Sequence, residues 1–488
     1  MLLTLSMIVR DEEEQLPGCL ASVRDAVDEI VVVDTGSGDR SAAIAQEFGA
    51  RVLHAAWQGD FSAARNIGVN AARGRWILVM DADERFEGNP GHLRRLLKGT
   101  SAIGFEVPIR NEVGDGRVDL HSTLRLFRRL PGVRFERRLH EQVLPSLLAV
   151  GQGARIDTAP FALRHLGYTP GIIERKRKRE RNLELAKAEV SERAVDPFAA
   201  FNLGVEYTAT GDLAGGVAEF RRARAITGGP QPWQSRLYKV EAQNLYKLAQ
   251  YEEALEVLEE GLTAFPNYTD LHFLRGVSLE AGGDVVGAET AFRRCLRLGP
   301  AKTPPHDGVD PLLGGPAAAT ALGSLLRRLG RSSEALPLLR SAVFGAPGWM
   351  PAVQELVECQ LASGAEVSEL LSQAPPDPLE IGAALFRSRR YALAVQAFSA
   401  GEATRPDLPP DHFLAKALAL VRLGDLDGAK VAVEPAGAGA IASARAYVVD
   451  LVEFARGALP RESLEERYAE GHPIWRDIPP QGAVEQGN

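Results

Sequence analysis

Residues 61–84, which read FSAARNIGVNAARGRWILVMDADE, decide the fold of the N-terminal part of the chain. Phe61–Arg73 has the spacing of an amphipathic helix, and the apolar run Arg75–Met80 is typical of a strand that is buried on both faces. This run leads directly into Asp81-Ala82-Asp83. Because open α/β sheets bind ligands at the carboxyl ends of their strands, the stretch predicts a binding site as well as a fold.

The same alternation of strand and helix extends to the N-terminus. Apolar runs predict strands at Leu2–Val9, Asp28–Asp34 and Arg51–His54, a charged helix start lies at Asp11–Leu16, and a helix is predicted at Ser41–Phe48. Continuous apolar strands separated by helices indicate a mainly parallel sheet that is covered on both faces. The fold class is therefore predicted to be α/β, with a Rossmann-like sheet, over about the first third of the chain.

Polar residues at the predicted strand ends are the first candidates for chemistry. Asp81 and Asp83 can face one divalent cation, since Mg²⁺ and Mn²⁺ favour carboxylate oxygens and leave positions for phosphates. Asp34 can accept hydrogen bonds from a nucleobase or ribose, and Arg10 ends the first strand. The structural alternatives are a capped turn for the Asp81–Asp83 pair and a helix N-cap for Asp34.

Three ordered blocks of the sequence resemble the family 2 glycosyltransferases of the GT-A fold. They are LSMIVRDEEEQLPGCLASV (5–23), EIVVVDTGSGDRS (29–41) and the stretch 61–84. The resemblance implies a GT-A domain, a nucleoside-diphosphate-sugar donor that is most often UDP-linked, and inversion at the anomeric carbon. An inverting enzyme of this kind uses a divalent cation, Mn²⁺ or Mg²⁺, to neutralise the leaving diphosphate.

The resemblance also assigns roles to individual residues. Asp34 corresponds to the nucleoside-binding aspartate, and Asp81 and Asp83 to the Asp-x-Asp pair, with Asp83 the direct metal ligand. Arg65 is a donor-site residue, since a guanidinium suits a diphosphate; its alternative is a surface ion pair. Arg10 completes the set of expected nucleotide-sugar-binding residues, with Asp34, Arg65 and Asp81.

The second half of this domain offers a candidate base and a third metal ligand. The segment LRLFRR…VRFERRLHEQV resembles small GT-A enzymes that build lipooligosaccharide cores or modify peptides. Within it, Glu141 is the candidate base that takes the proton of the attacking acceptor; the alternative is a structural glutamate paired with Arg137 or Arg138. His165 is expected to complete the metal shell, and its alternative is a structural histidine.

Internal repeats dominate the remainder of the chain. Ala254 and Ala288, and likewise Pro266 and Pro300, lie 34 residues apart, which is the length of a tetratricopeptide (TPR) repeat. An all-α TPR-like solenoid is expected, either as a scaffold or as a binding or dimer surface. The predicted organisation is: GT-A domain 1–170, basic linker helix 171–195, repeats 196–300, Pro/Gly-rich insert 301–317, repeats 318–456 and tail 457–488.

Composition limits the partners and the compartment. The net charge of −8 argues against nucleic acid as a partner. Three widely spaced cysteines exclude a disulfide framework and fit a cytoplasmic protein. Neither a signal peptide nor a membrane span is expected. The basic run 174–182 is interpreted as a linker helix, and contact with an anionic membrane surface is the less favoured alternative.

The sequence therefore predicts a metal-dependent glycosyltransferase with a repeat array behind it. The array would recognise a protein, peptide or glycan acceptor, or would join two subunits into a homodimer. The principal rival is a non-catalytic interaction protein whose N-terminal domain senses sugar nucleotides. A nucleotidyltransferase is disfavoured, because the acidic run Asp11–Glu14 stands where that class has a glycine-rich phosphate loop.

Overall fold

The structure is a computed structural model with two compact units, Met1–Gly314 and Gly315–Asn488. The described residues exclude all of the predicted tail (457–488), residues 301–309 and 311 of the predicted insert, and residues 171–177 of the predicted linker. The described residues are 1–112, 118–151, 155–166, 178–231, 233–300, 310, 312–373, 375–404, 410–433 and 442–456.

A mixed sheet forms the centre of the N-terminal domain. In the described residues its strands are β1 (Leu3–Val9), β2 (Glu29–Asp34), β3 (Arg51–His54), β4 (Trp76–Val79), β5 (Glu84–Glu87), β6 (Gly104–Glu112), β7 (Val118–Arg128), β8 (Ile156–Thr158) and β9 (Ala162–His165). Their order is β3-β2-β1-β4-β7-β6-β9-β5, and β8 pairs with β6. The strands predicted at Arg51–His54, Asp28–Asp34 and Arg75–Met80 correspond to β3, β2 and β4.

The first four strands are parallel, as the apolar runs predict. β1 pairs with β2 and β4, and β3 pairs with β2, all in parallel register. β7 then adds to β4 in the antiparallel direction and carries the sheet on to β6. The predicted α/β class is confirmed, and the antiparallel additions make the sheet mixed.

Helices cover this sheet and set the position of the site. They are α1 (Leu16–Val23), α2 (Ser41–Glu47), α3 (Phe61–Ala71), α4 (Pro90–Gly99) and α5 (Leu144–Val150). The N-terminal end of α3 is capped by Asp60, whose carboxylate accepts a hydrogen bond from the amide of Ala63 at 2.9 Å. Gly68 lets α3 approach β1 closely, because a Cβ at this position would collide with the hydroxyl of Ser6.

The helix start predicted at Asp11–Leu16 is found at the last residue of that range, because α1 begins at Leu16 and the acidic run before it is not helical. Asp11 adopts a left-handed backbone conformation with φ 54°. Its carboxylate accepts a hydrogen bond from the amide of Gly38 at 2.7 Å, and its own amide donates to Ser37 Oγ at 3.2 Å. The acidic run therefore binds the loop after β2, and these local contacts compete with helix formation.

In the described residues from 178 onward every secondary-structure element is a helix, and successive helices pack against one another. The helices of the first unit are α6 (Lys178–Glu192), α7 (Pro197–Thr210), α8 (Leu213–Ile226), α9 (Gln234–Lys247), α10 (Tyr251–Ala264), α11 (Thr269–Ala281) and α12 (Val285–Leu298). Those of the second unit are α13 (Pro316–Arg328), α14 (Ser332–Gly345), α15 (Met350–Ala362), α16 (Val367–Leu371), α17 (Pro378–Arg387), α18 (Tyr391–Thr404), α19 (Pro410–Arg422), α20 (Leu426–Val433) and α21 (Ala442–Ala455). None of the helices in the described ranges has the length and hydropathy needed to cross a membrane.

A glycine and a buried aromatic ring sixteen residues later join the two helices of several repeats. A Cβ on Gly276 would meet the ring of Phe292 at 2.5 Å, and Gly204 and Gly382 face Phe220 and Phe398 in the same way. These phenylalanines are almost completely buried. The small residue brings the paired helices together and the ring fills the space between them, which is the packing that the 34-residue period predicts.

Phe292→Ala is expected to destabilise the repeat array by about 3–5 kcal/mol, because it leaves a cavity at the centre of a helix pair. Urea unfolding followed by circular dichroism measures the change. Val286→Ala on the same helix is the matched control, since Val286 is 77% exposed and its loss should cost less than about 0.5 kcal/mol. Equal unfolding midpoints for the two variants would contradict this packing.

Candidate functional site

The carboxyl ends of the parallel strands place the predicted aspartates at one edge of the sheet. The last residues of β1 and β2, Val9 and Asp34, are paired in register, and Asp34 also pairs with His54 at the end of β3. Asp81 follows the end of β4, the strand on the other side of β1. The parallel arrangement therefore brings the ends of non-consecutive segments together, as predicted.

Asp34 is almost completely buried and holds the loop that follows β2. Its Oδ1 accepts hydrogen bonds from the amide of Ser37 at 2.9 Å and from the hydroxyl of Ser37 at 2.7 Å, and its Oδ2 lies 3.1 Å from His54 Nδ1. Burial alone would raise the pKa of Asp34, but these hydrogen bonds outweigh it and hold the pKa below its ordinary value. Since α2 begins at Ser41, Asp34 caps a turn and is not the helix N-cap of the alternative interpretation.

A buried guanidinium, that of Arg65, joins Asp81 to Glu141. Arg65 Nη2 donates to Asp81 Oδ1 at 2.8 Å, and Arg65 Nε donates to Glu141 Oε1. Burial would lower the pKa of Arg65, but the two carboxylates outweigh it and raise the pKa further. Arg65 does form ion pairs, but it is 5% exposed, so the alternative of a surface ion pair is wrong.

A second arginine, Arg125 on β7, was not predicted from the sequence. Its Nη2 donates to Asp81 Oδ2 and to Glu84 Oε1, both at 3.0 Å. No simple alternation signals it, since its neighbours Leu124 and Leu126 are both buried but belong to different apolar clusters, and the pairing of β6 with β7 is irregular between Phe105 and Glu106. Both oxygens of Asp81 are therefore bonded to arginines. Burial would raise the pKa of Asp81, but the two guanidiniums hold it well below its ordinary range.

Glu84 is a second buried carboxylate that was not predicted from the sequence, although it directly follows Asp81-Ala82-Asp83. Its Oε2 accepts a hydrogen bond from the amide of Asp81 at 2.9 Å. Burial and the charge of Asp81, opposed by Arg125, raise the pKa of Glu84 to about 7. Glu84 thus shapes the turn that presents the Asp81–Asp83 pair.

Asp83 and His165 lie side by side, because β5 and β9 pair in antiparallel register at Glu84 and His165. His165 Nε2 is 3.3 Å from Asp83 Oδ2. The other ring nitrogen, Nδ1, contacts Asn111 Oδ1 at 2.8 Å. Burial would lower the pKa of His165, but the neighbouring carboxylates, Asp83 first, raise it above its ordinary value.

The chemistry of this pair suits a hard divalent cation. A carboxylate oxygen and an imidazole nitrogen are ligands that Mn²⁺ accepts, and Asn111 fixes the orientation of the ring, as ligating histidines require. Asp81 fits less well, because both of its oxygens already accept hydrogen bonds from arginines. In the part of the chain that the structure describes, no group of three or more His, Cys, Asp or Glu side chains could by itself hold a metal ion.

The two remaining candidates, Glu141 and Arg10, differ in whether they contact the arginine–carboxylate cluster, which is formed by Arg65, Arg125, Asp81 and Glu84. Glu141 reaches it through Arg65, while Arg137 pairs with Glu189 and Arg138 with Glu192. A structural pairing of Glu141 with Arg137 or Arg138 is therefore wrong. Arg10 ends β1 as predicted, but its side chain is 53% exposed and its Nε lies 3.9 Å from Asp11, so the structure does not bring Arg10 into the arginine–carboxylate cluster.

Family comparisons agree with the order of the two parts of the chain. Residues 4–152 match the model described as glycosyl transferase family 2. The N-terminal part of the chain is a glycosyltransferase family 2 domain. Residues 240–302 match the tetratricopeptide repeat model, so α10–α12 and their neighbours belong to a TPR array. Both resemblances drawn from the sequence are confirmed.

Individual relatives resemble parts of the chain. A TPR repeat-containing protein of Synechococcus elongatus is 44% identical over 215 residues, which is 43% of this chain and 53% of that protein. The glycosyltransferase SunS of Bacillus subtilis is 27% identical over 189 residues, or 38% of this chain and 44% of SunS. The chain thus spans about half the length of these relatives.

Among solved structures, a thermophilic TPR protein of Thermus thermophilus aligns with 39% of this chain and 94% of its own length. Its sequence identity is 22% and the TM-score is 0.30.

Arg65→Met is expected to lower the free energy of unfolding by about 3 kcal/mol, because it leaves Asp81 and Glu141 without their shared cation in a largely buried position. Thermal and urea unfolding without nucleotide measure the loss. Arg40→Met, which removes an exposed pair with Glu47, is the control and should cost less than about 1 kcal/mol. If the two variants are equally stable, Arg65 does not stabilise the cluster.

Proposed function

We propose that the protein is an inverting, metal-dependent glycosyltransferase that moves a sugar from a nucleoside-diphosphate sugar, UDP-linked, to an acceptor. The observation that carries this proposal is the Arg65 bridge between Asp81 and Glu141. It joins the candidate donor side of the site to the candidate base at the carboxyl edge of the parallel strands. Such an edge is where α/β sheets bind nucleotides.

The donor would bind with its nucleoside against Asp34 and its diphosphate toward the arginines. Asp34 is held below its ordinary pKa and is therefore an anionic acceptor for ribose or base donors at neutral pH. Arg65 Nη1 and Arg125 Nε are buried without a hydrogen-bond partner among the described residues, and such donors favour an anionic ligand. Arg10, exposed at the end of β1, would contact the diphosphate from the solvent side.

A divalent cation, Mn²⁺ or Mg²⁺, would be held by Asp83 and His165, and Asp81 would join them as a third ligand only by exchanging one of its two hydrogen bonds to Arg65 and Arg125 for the cation. When bound, it neutralises the negative charge that develops on the leaving diphosphate. The adjacency of a carboxylate and an oriented imidazole supports this assignment.

Transfer would proceed by direct displacement. The acceptor hydroxyl or thiol attacks the anomeric carbon, its proton passes to the Glu141 carboxylate, and the bond to the diphosphate oxygen breaks. Arg65 fixes Glu141 Oε1 and leaves Oε2 as the oxygen that can receive the proton. The carboxylate is thereby oriented, which general-base catalysis requires.

The acceptor would be a protein, a peptide or a glycan, recognised by the TPR array, which could also join two subunits. Helical repeats present extended surfaces and commonly bind other chains, which supports the first role. One of the relatives that the chain resembles is named a glycosyltransferase, which supports the reaction class.

A screen of UDP-, GDP- and TDP-sugars with Mn²⁺, which measures release of nucleoside diphosphate by hydrolysis without acceptor, tests the donor. If none of these sugar nucleotides is cleaved, the proposed transfer reaction is contradicted, and binding without cleavage would favour the rival, a non-catalytic interaction protein that senses sugar nucleotides.

Asp83→Ala is expected to abolish Mn²⁺-dependent binding of UDP, because the direct carboxylate ligand is removed. Isothermal calorimetry with UDP and Mn²⁺ gives the affinity, and Asp25→Ala, at an exposed position outside the site, is the control. Donor turnover at the full rate in excess EDTA would refute the metal role of Asp83.

Glu141→Gln keeps the shape of the side chain and removes its basicity. We expect turnover of the donor to fall about 100-fold while UDP affinity stays unchanged, because a general base acts on the reaction and not on donor binding. Glu136→Gln, in an ion pair with Arg134 nearby, is the control and should keep the native rate. A native rate in Glu141→Gln would place the base elsewhere.

A further inference from the structure

The candidate base is carried by a loop with an unusual backbone. We name residues 137–141 the base loop. Arg137 and His140 have φ values of 89° and 53°, in the left-handed region that residues other than glycine rarely adopt. Such conformations persist only when the surroundings fix them, and they are common at functional sites. The contacts that hold the base loop therefore bear on the position of Glu141.

Helix α3 holds the base loop on one side. The amide of Phe61 donates to the carbonyl of Arg138 at 2.9 Å, and the hydroxyl of Ser62 donates to the carbonyl of Arg137 at 2.5 Å. The same helix carries Arg65, which pairs with Glu141. One face of α3 thus bonds to both the backbone and the terminal side chain of the base loop.

A buried carboxylate on α6 holds the base loop on the other side. Glu189 Oε2 accepts hydrogen bonds from the amides of Arg138 at 3.2 Å and Leu139 at 3.4 Å. Its Oε1 accepts one from Arg137 Nη1, also at 3.2 Å. Glu189 is 3% exposed, and a buried carboxylate is costly unless donors surround it in this way.

Helix α7, the first helix of the repeat array, adds a second buried carboxylate. Glu206 Oε1 lies 2.9 Å from His140 Nε2, so the residue directly before Glu141 is attached to the array. Asp196, which caps the N-terminal end of α7, lies 2.8 Å from Arg137 Nη1. The guanidinium of Arg137 also stacks over Phe198 of α7 at 4.6 Å.

Apolar packing completes this contact. Leu139 of the base loop, Ala186 of α6 and Leu203 of α7 form one buried cluster. Burial of side chains from three separate segments gives the polar contacts a water-excluded setting, in which hydrogen bonds are strengthened. Helices α6 and α7 both lie beyond residue 152, where the match to the glycosyltransferase family model ends.

We propose that Glu189 and Glu206 are positioning residues that hold the base loop, and with it Glu141, in the geometry that proton transfer needs. The inference rests on the proposed role of Glu141 as the base. If these two residues position the base, then α6 and α7 contribute to catalysis together with the glycosyltransferase domain. A shift of α7 would be transmitted through Glu206 and His140 to the base, since these residues form one bonded path.

Hydrogen exchange of the full-length protein tests the contact without any assumption about the reaction. In Glu189→Ala and Glu206→Ala, peptides that cover residues 137–141 should exchange about tenfold faster, because the base loop opens locally. Glu192→Ala removes an exposed pair with Arg138 and should leave the exchange rate unchanged within about twofold. If these peptides exchange at the native rate in both buried-site variants, the positioning role is refuted.

Donor turnover then tests the link to chemistry, with UDP-glucose, UDP-galactose and UDP-N-acetylglucosamine as probes and Mn²⁺ present. Glu206→Ala should lower kcat about tenfold with KM unchanged, because displacement of a catalytic group by about 1 Å is enough to slow the reaction step strongly. Glu206→Gln, which retains an acceptor for His140, should restore part of the rate. In a Glu141→Gln background, Glu206→Ala should cause no further loss, since both changes act through one group.

The outcomes separate the two proposals. Full activity of Glu141→Gln, or no turnover of any probe, contradicts the proposed chemistry, and the exchange rates still decide whether Glu189 and Glu206 hold the base loop. A strong effect of Glu141→Gln together with a native kcat in Glu206→Ala overturns the positioning role of Glu206. If either alanine variant fails to fold, Glu189→Gln and His140→Gly provide the same measurements, and His140→Gly preserves the left-handed backbone.

Discussion

A single buried guanidinium ties together three parts of the N-terminal domain. Arg65 extends from α3 and pairs with Asp81 after β4 and with Glu141 in the base loop. A cation of this kind is costly to bury and is stable only between well-placed anions, so each carboxylate depends on the same central group. Arg125 supports this arrangement from β7 by pairing with the other oxygen of Asp81. The position of the candidate base therefore depends on the elements that also carry the candidate donor site.

This dependence extends beyond the glycosyltransferase domain. The base loop lies between α3 and the helices α6 and α7, and the buried Glu189 and Glu206 bond to it directly. A boundary drawn between domains at the linker would cut these bonds. Helix α6 is accordingly more than a spacer, because Glu189 on one face of it bonds to the base loop while Arg179 and Glu180 are exposed.

The sequence predicts local features well and long-range partners poorly. The strands β2 and β4, and the aspartates at their ends, follow from apolar runs of the right length. The partner of Glu141 could not be found this way, since Arg65 lies 76 residues earlier and nearby arginines were equally suitable by sequence alone. The helix start predicted in the acidic run comes later than Asp11 for a related reason: Asp11 bonds to Gly38, 27 residues away, and these bonds replace helical ones.

We propose that a nucleoside diphosphate and a divalent cation bind at the carboxyl edge of β1, β2 and β4. Crystals of the full chain grown with UDP and Mn²⁺ and measured for anomalous scattering test this binding site. We expect an anomalous peak about 2 Å from a carboxylate oxygen of Asp83, a distance typical of hard cations, with the diphosphate beside it and the nucleoside against Asp34. Ordered UDP at another surface, or UDP at this edge with Mn²⁺ bound away from Asp83, would contradict it.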